Sequence, residues 1–394
     1  MAAVNSISNT TRGPLTTQKR PRPLPDSLAY IRFTGQVLKG LIKFSALYMA
    51  GKTPKTQTYK MGLSIAGLTS AVDGLTLAQS RAISSKLKAK AAKRSGFATP
   101  EAIEQWAIKV EAENKDWTAY WIPFQDQIHA VRDQNSSAIH DADGASKAKV
   151  GEGCDLVLHW AHGGGFIDGH ALQCLFFFKD LMKSLQKDYG IRVGILSIAY
   201  SLAPETPFPG AVNECVAAYR DLVKVYGVDP KRIFTCGESA GGNLAHVMTL
   251  KIRDEYPELG QPAGTISISP YFFAPDPVEF SLFDFITPLR CVTFIECYAQ
   301  NDPKATASQY FTPMNATTLA GLPPMLVMVG GVELFRPSIE KFVARVQGDN
   351  GECELFMEEG RAHCWCMVEP ASTEEDRMRA KTTIGDFLTK HQTK

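Results

Sequence analysis

Two rhythms of apolar and polar positions divide the chain. From about residue 117 onward, short apolar runs recur between longer amphipathic stretches. The runs at 155–161, 193–199, 232–236, 265–269, 325–329 and 354–357 predict strands, and 117–124 alternates as a strand does. Between them, apolar residues at three- and four-residue spacing predict helices near 172–187, 211–226, 243–255, 337–347 and 373–389. Strands alternating with helices of this length predict an α/β fold, with a central, mainly parallel sheet and helices on both faces.

Upstream the pattern changes. Residues 26–115 read as helical, with no strand alternation before Trp117. The stretch 27–51 carries Ile31, Val37, Leu38, Leu41 and Phe44 on an uneven apolar face, and 86–94 is basic and alanine-rich. Segment 100–114 opens on Thr99-Pro100 with Glu101 and Glu104 in its first turns, a helix start signal. Residues 1–25, rich in Ser, Thr, Pro and basic residues, predict a disordered tail. Segment 132–153, with Asp141-Ala142-Asp143-Gly144, predicts an exposed loop. Residues 271–310 break the strand–helix alternation with Tyr271, Phe272, Phe273, Phe280, Phe283 and Phe285. They read as a cap-like insertion over the sheet's carboxyl edge, where ligands of open α/β sheets bind. The expected organisation is a tail (1–25), a helical cap region (26–115) and a catalytic domain (116–394).

Composition narrows the partners. The 394 residues are 44% hydrophobic and 21% charged, with a net charge of +1. That balance gives no field to steer nucleic acid or acidic partners. The nine cysteines form no Cys-x-x-Cys pair and no zinc-type cluster, so reduced thiols in a cytoplasmic protein, without a metal, are expected. The N-terminus has no secretory pattern. Segment 37–49 is mostly apolar, but Lys39 and Lys43 interrupt it and it is too short to span a bilayer.

Candidate chemistry centres on Gly237-Glu238-Ser239-Ala240-Gly241, between an apolar strand and a helical pattern. A Gly-x-Ser-x-Gly turn at that junction is a nucleophile elbow, in which a strained backbone lifts the hydroxyl above the sheet. Upstream, at the end of another strand, stands His162-Gly163-Gly164-Gly165. Acyl transfer puts negative charge on a carbonyl oxygen, and a glycine run lets backbone N–H groups approach it. The alternative is a flexible turn, which the elbow serine in the correct order disfavours. A serine also needs a base and an orienting carboxylate, in the chain order Ser, acid, His on such a sheet. His246 sits two turns down the helix after Ser239, and His391 lies in the C-terminal tail. His363, after the last strand, is the candidate base. Glu333, the first carboxylate after the 325–331 strand and its exit, is the candidate acid, with Glu340 as the fallback. Phe166, Tyr200, Phe272, Phe273 and Trp365 flank these positions and are candidate pocket walls.

Together these pieces resemble the hormone-sensitive-lipase-like esterases of the α/β-hydrolase superfamily. Further matches are Tyr200-Ser201-Leu202-Ala203-Pro204-Glu205, Pro207-Phe208-Pro209-Gly210-Ala211, the elbow continued through Gly242-Asn243-Leu244-Ala245, and Leu322-Pro323-Pro324 before a strand. The resemblance covers roughly 150–390. It implies an α/β-hydrolase fold and a serine esterase acting on a hydrophobic ester without a cofactor. It also implies Ser239 as nucleophile, His363 as base, Glu333 as acid and the N–H groups of Gly164, Gly165 and Ala240 as an oxyanion hole, with His162 bracing the loop. The family's acid is usually an Asp followed by Pro-Leu and a second Asp. Here Glu333 is followed by Leu334, Phe335, Arg336 and Pro337. In this family the N-terminal helices cap the site, so 26–115 is expected to form part of the pocket wall, with peripheral membrane association left open. Acyl transfer, elimination or cyclisation by the same triad, and a non-catalytic receptor on the same fold, are the rival expectations.

Overall fold

The computed structural model describes residues 26–73, 77–79, 81, 106–124, 150–273, 283–368 and 371–392. The expected tail, the basic segment 86–94, the Asp141–Gly144 stretch and Phe280 lie outside the described residues.

The strands are β1 (Ile108–Glu111), β2 (Thr118–Ile122), β3 (Leu156–Ala161), β4 (Val193–Ile198), β5 (Ile233–Glu238), β6 (Gly264–Ile268), β7 (Met325–Gly330) and β8 (Cys353–Glu358). They form one sheet in the order β1-β2-β4-β3-β5-β6-β7-β8. The first two are antiparallel to their neighbours and the rest run parallel. The helices are α1 (Asp26–Met49), α2 (Tyr59–Asp73), α3 (Leu175–Tyr189), α4 (Gly210–Lys224), α5 (Ala240–Glu255), α6 (Pro288–Ala299), α7 (Pro303–Ala307), α8 (Arg336–Gly348) and α9 (Glu374–His391).

The central strands are buried on both faces, which is why they read as continuous apolar runs. The two-residue period of a strand divides them between two cores. Leu156, Leu158 and Trp160 of β3 join α3 and α9 on one face. Val157 and Ala161 join α4, α5 and α8 on the other. Helix α3 shows how a helix meets this demand. It buries Leu175, Phe178, Leu181, Met182 and Leu185 on one stripe, then stops at Gly190 in the left-handed conformation, whose N–H returns to Gln186 and Leu185 carbonyls.

The helical reading of 100–114 is corrected over its described part. Residues 108–111 form β1, paired with β2 in the register Ile108↔Trp121 and Val110↔Ala119. Ile108 and Val110 alternate with Lys109 and Glu111, and pairing to an existing sheet edge outweighs the local helix signal. Lys115, in a left-handed backbone, and the Ala112 N–H to Trp117 O bond at 3.1 Å close the hairpin. The sheet therefore begins before residue 116, and 26–115 is not helical to its end.

Helices α1 and α2 pack on each other, with the Phe44 ring lying where a Cβ on Gly62 would stand. From there the N-terminal region reaches the loops at the sheet's carboxyl edge. Ile65 clusters with Ala362 and Ala371, and the Thr69 hydroxyl donates to Asp284 O at 3.0 Å. Arg81 donates to Ile167 O at 2.8 Å and Ala203 O at 2.7 Å, and pairs with Glu205 through both terminal nitrogens. No helix of the described residues is long and apolar enough to cross a membrane.

Candidate active site

The strand order reverses at β3, whose neighbours are β4 and β5, and the loops leaving β3 and β5 meet at the carboxyl edge. Ser239 stands between β5 and α5 with φ 55° and ψ −119°, a conformation L-residues avoid unless the surroundings hold it. Here they do. Its N–H donates to Ile268 O at 2.9 Å, and its carbonyl accepts the Tyr271 N–H at 3.0 Å. A Cβ on Gly241 would stand 1.9 Å from Ala161 O, so only glycine lets α5 start this close to β3. Ser239 is 9% exposed.

The glycine loop lies against it: a Cβ on Gly163 would be 3.1 Å from that of Ser239. The loop is anchored from the elbow itself. Glu238 accepts the Gly163 N–H at 2.7 Å and the Gln173 amide at 2.8 Å on one oxygen, and the Trp160 indole N–H at 2.7 Å on the other. Burial pushes this carboxyl up, while those donors favour its ionised form. His162 stacks on Tyr200 with ring centroids 4.1 Å apart, and the Tyr200 hydroxyl donates to His162 O at 2.6 Å. Gly164 has φ 124°, and a Cβ there would lie 2.0 Å from Asp168 O. Among the described residues, the N–H groups of Gly164 and Gly165 donate to no backbone carbonyl.

On the other side of Ser239, Glu333 follows β7 and His363 follows β8. Both are buried, with Glu333 Oε2 3.9 Å from His363 Nδ1. The same oxygen accepts the Ser269 hydroxyl at 2.6 Å and the Gly330 N–H at 3.2 Å. Among the described residues, Glu333 Oε1 and His363 Nδ1 have no hydrogen-bond partner. Burial, then the neighbouring Asp284 charge, push the Glu333 carboxyl well up. Burial pushes the His363 imidazole down to about 3, which keeps it neutral. The rings of Phe335 and Phe285 meet the imidazole edge-on, at 5.0 and 5.6 Å.

The remaining candidates divide. Glu340 lies on α8 and bonds Arg336 at 2.9 Å, away from His363. His246 is a core residue: its Nε2 lies 2.9 Å from the Ser267 hydroxyl, and burial pushes it to about 3. Phe166 stacks on Tyr298 at 4.0 Å, and half-buried Phe273 lies 5.4 Å from Phe166 and 4.2 Å from Phe311. These form an aromatic wall beside the glycine loop, where Phe294 of α6 fills the space a Gly165 side chain would need. The Tyr200 hydroxyl is engaged by His162, so this residue braces the loop. Phe272 and Trp365 are corrected. Phe272 points away from Phe273, into the core between His246 and Phe342. Trp365 is fully buried in the core on the α3–α9 face. Nearness in sequence does not fix a side chain's direction, and Phe273 itself has a left-handed backbone, φ 47°.

Sequence reasoning missed Ser269, Asp284, Arg81 and the bracing role of Glu238. The signal for Asp284 was an acid inside Phe283-Asp284-Phe285, since a carboxylate in an apolar run needs buried partners.

The family model for the alpha/beta hydrolase fold matches residues 158–367. The chain belongs to that family. An esterase of Acinetobacter venetianus is 29% identical over 191 residues, 48% of this chain and 59% of that protein. The hormone-sensitive lipase of Bos taurus is 43% identical over 99 residues, 24% of this chain and 12% of that protein. In both cases the match covers less than two thirds of the relative's length. A solved mutant of the esterase E40 aligns with a TM-score of 0.55 at 26% identity, covering 73% of this chain and 84% of that one. The α/β-hydrolase fold and the resemblance to hormone-sensitive-lipase-like esterases expected from the motifs are both borne out.

Proposed function

We propose that this hydrolase cleaves a carboxylic ester through Ser239, His363 and Glu333. The observation that carries the reading is Ser239 held in its left-handed backbone with the glycine loop packed against its Cβ. The Ser239 oxygen attacks the acyl carbon while His363 takes the hydroxyl proton. The N–H groups of Gly164, Gly165 and Ala240 point to an oxyanion hole for the tetrahedral oxygen. His363 then gives the proton to the departing alcohol. In the second half, His363 takes a proton from water, whose oxygen attacks the acyl carbon. As the bond from that carbon to Ser239 Oγ breaks, His363 returns the proton to Oγ, releasing the acid and regenerating the Ser239 hydroxyl. Glu333 orients the imidazole and balances its charge when it is protonated. The stacked rings of Phe166, Tyr298 and Phe273 support a hydrophobic acyl or alcohol group.

The helical N-terminal region (26–73, with Arg81) and the insertion (271–310) act in this reading as a cap. The nine cysteines, all unpaired, support a reducing compartment such as the cytoplasm. The exposed stripe Leu38, Ile42 and Met49 on α1, beside Lys39 and Lys43, supports peripheral association with an anionic lipid surface.

The test is covalent labelling by a fluorophosphonate, read by peptide mass spectrometry. The expected result is one adduct, on Ser239. A folded protein that hydrolyses esters but is modified elsewhere, or not at all, overturns the reading.

A further inference from the structure

Two buried side chains outside the proposed triad join the same pair of loops. Ser269 follows β6 and is fully buried. It holds a left-handed backbone, φ 50°, without being glycine. Its hydroxyl donates to Glu333 Oε2 at 2.6 Å and accepts the Cys364 N–H at 2.9 Å. Asp284, also fully buried, comes from the insertion. Its Oδ2 accepts the Leu334 N–H at 2.7 Å, and its Oδ1 accepts the N–H groups of His363 at 3.1 Å and Phe285 at 2.8 Å. One tie therefore runs from residue 333 to residue 364, the other from 334 to 363.

We propose that Ser269 and Asp284 are positioning residues that lock the Glu333 loop to the His363 loop and hold the glutamate where it can orient the imidazole. The proposal rests on the triad reading above. A glutamate has one more rotatable bond than an aspartate, so its carboxylate needs an added restraint to stay near His363 Nδ1. Ser269 supplies it, with one proton spent on the acid and one lone pair on the base loop. From the resting separation of 3.9 Å, a shift of about 1 Å would give a direct hydrogen bond. Among the described residues, Glu333 Oε1 and His363 Nδ1 have no other partner that would compete for that bond. The Thr69 bond to Asp284 O extends the brace to the N-terminal helices.

The two residues act on Glu333 with opposite electrostatic sign. The Ser269 hydrogen bond favours the carboxylate, whereas the Asp284 charge disfavours it. Asp284 is itself pushed up to about 6 by burial. The other titratable groups facing the pair are His363 and the thiols of Cys364 and Cys366. The nearby arginines are engaged elsewhere, Arg336 with Glu340 and Gly331 O, and Arg361 with Asp376 and Thr56 O.

The experiment measures kcat, KM and the pH profile of kcat/KM for p-nitrophenyl butyrate, with fluorophosphonate labelling of Ser239, in the wild type, S269A, S269G, D284N and E333Q. Glycine tolerates the left-handed backbone, so S269G removes the hydroxyl without strain. Both Ser269 variants are expected to lower kcat on the order of 10²-fold with KM nearly unchanged. Their acid limb should move up by about one pH unit, while that of D284N moves down. Wild-type kcat and pH profile in folded S269G overturns the brace and leaves the triad reading standing. An acid limb that moves upward in D284N overturns the role given to its charge. Full activity in E333Q, with Ser239 still labelled, instead removes Glu333 from the triad and the brace with it.

Discussion

The Glu238 carboxylate accepts the Gly163 N–H at 2.7 Å, so the residue beside the proposed nucleophile holds the loop proposed to stabilise the oxyanion. Strand β5 thus sets both halves of the proposed acyl-transfer geometry. Its last residue fixes the glycine loop, and the next one carries the hydroxyl.

Replacing Glu238 by Gln sets an amide N–H₂ against a ring of donors. Glu238→Gln is expected to lower kcat on the order of 10²-fold through a misplaced loop and to lose about 1–3 kcal/mol of stability. Steady-state kinetics with thermal melting check it. An unchanged kcat would show that the loop holds its position without this carboxylate.

Ser239→Ala is expected to melt as the wild type does and to lose several orders of magnitude in turnover, because triad members act as a unit. Glu333→Gln should cost less than Ser239→Ala, about 10²–10⁴-fold, through the loss of the orienting charge. Glu340→Gln should cost nothing measurable, since that side chain bonds Arg336 on α8. Kinetics on the three proteins decide it, and the reverse order for the two glutamates would move the acid to Glu340.

The base loop is also tied down by a buried ion pair. Arg361 donates to Asp376 at 2.6 and 3.2 Å, and Asp376 caps α9 by accepting the Thr373 N–H. Burial raises the Asp376 carboxyl, but the Arg361 and Thr373 hydrogen bonds outweigh it and hold it below the ordinary 3.8. A depressed acid contributes stability that is present above its unfolded value and lost as pH falls through its folded one. Asp376→Asn is expected to cost about 3–5 kcal/mol at neutral pH, and the gap to the wild type should close below pH 3.8. Denaturation at pH 7 and pH 3 measures it; an equal gap at both refutes the assignment.

For the lipid surface, Leu38, Ile42 and Met49 recur every four to seven residues on α1 and face outward. The triple variant L38E/I42E/M49E should abolish co-sedimentation with vesicles containing phosphatidylserine while leaving hydrolysis of a soluble ester intact. Failure of the wild-type protein to bind such vesicles would remove the proposal.

How much was legible beforehand follows from how local each signal is. The parallel strands were readable because burial on both faces leaves continuous apolar runs. The elbow and the glycine loop were readable because their geometry needs small residues at fixed spacing. Strand β1 was not, because Ile108–Glu111 is a run of only four residues whose state depends on a partner edge at Thr118–Ile122. Phe272 and Trp365 misled for a related reason, since only the packed structure decides which way a side chain points.

The sequence by itself determined the fold family and named the candidate residues for the proposed acyl transfer, because backbone strain and chain order are written in consecutive residues. Tertiary structure decided what holds that chemistry together. Ser269 meets Glu333 across 64 positions and Asp284 meets His363 across 79. Contacts between loops so far apart exist only once the sheet has brought their ends to one edge.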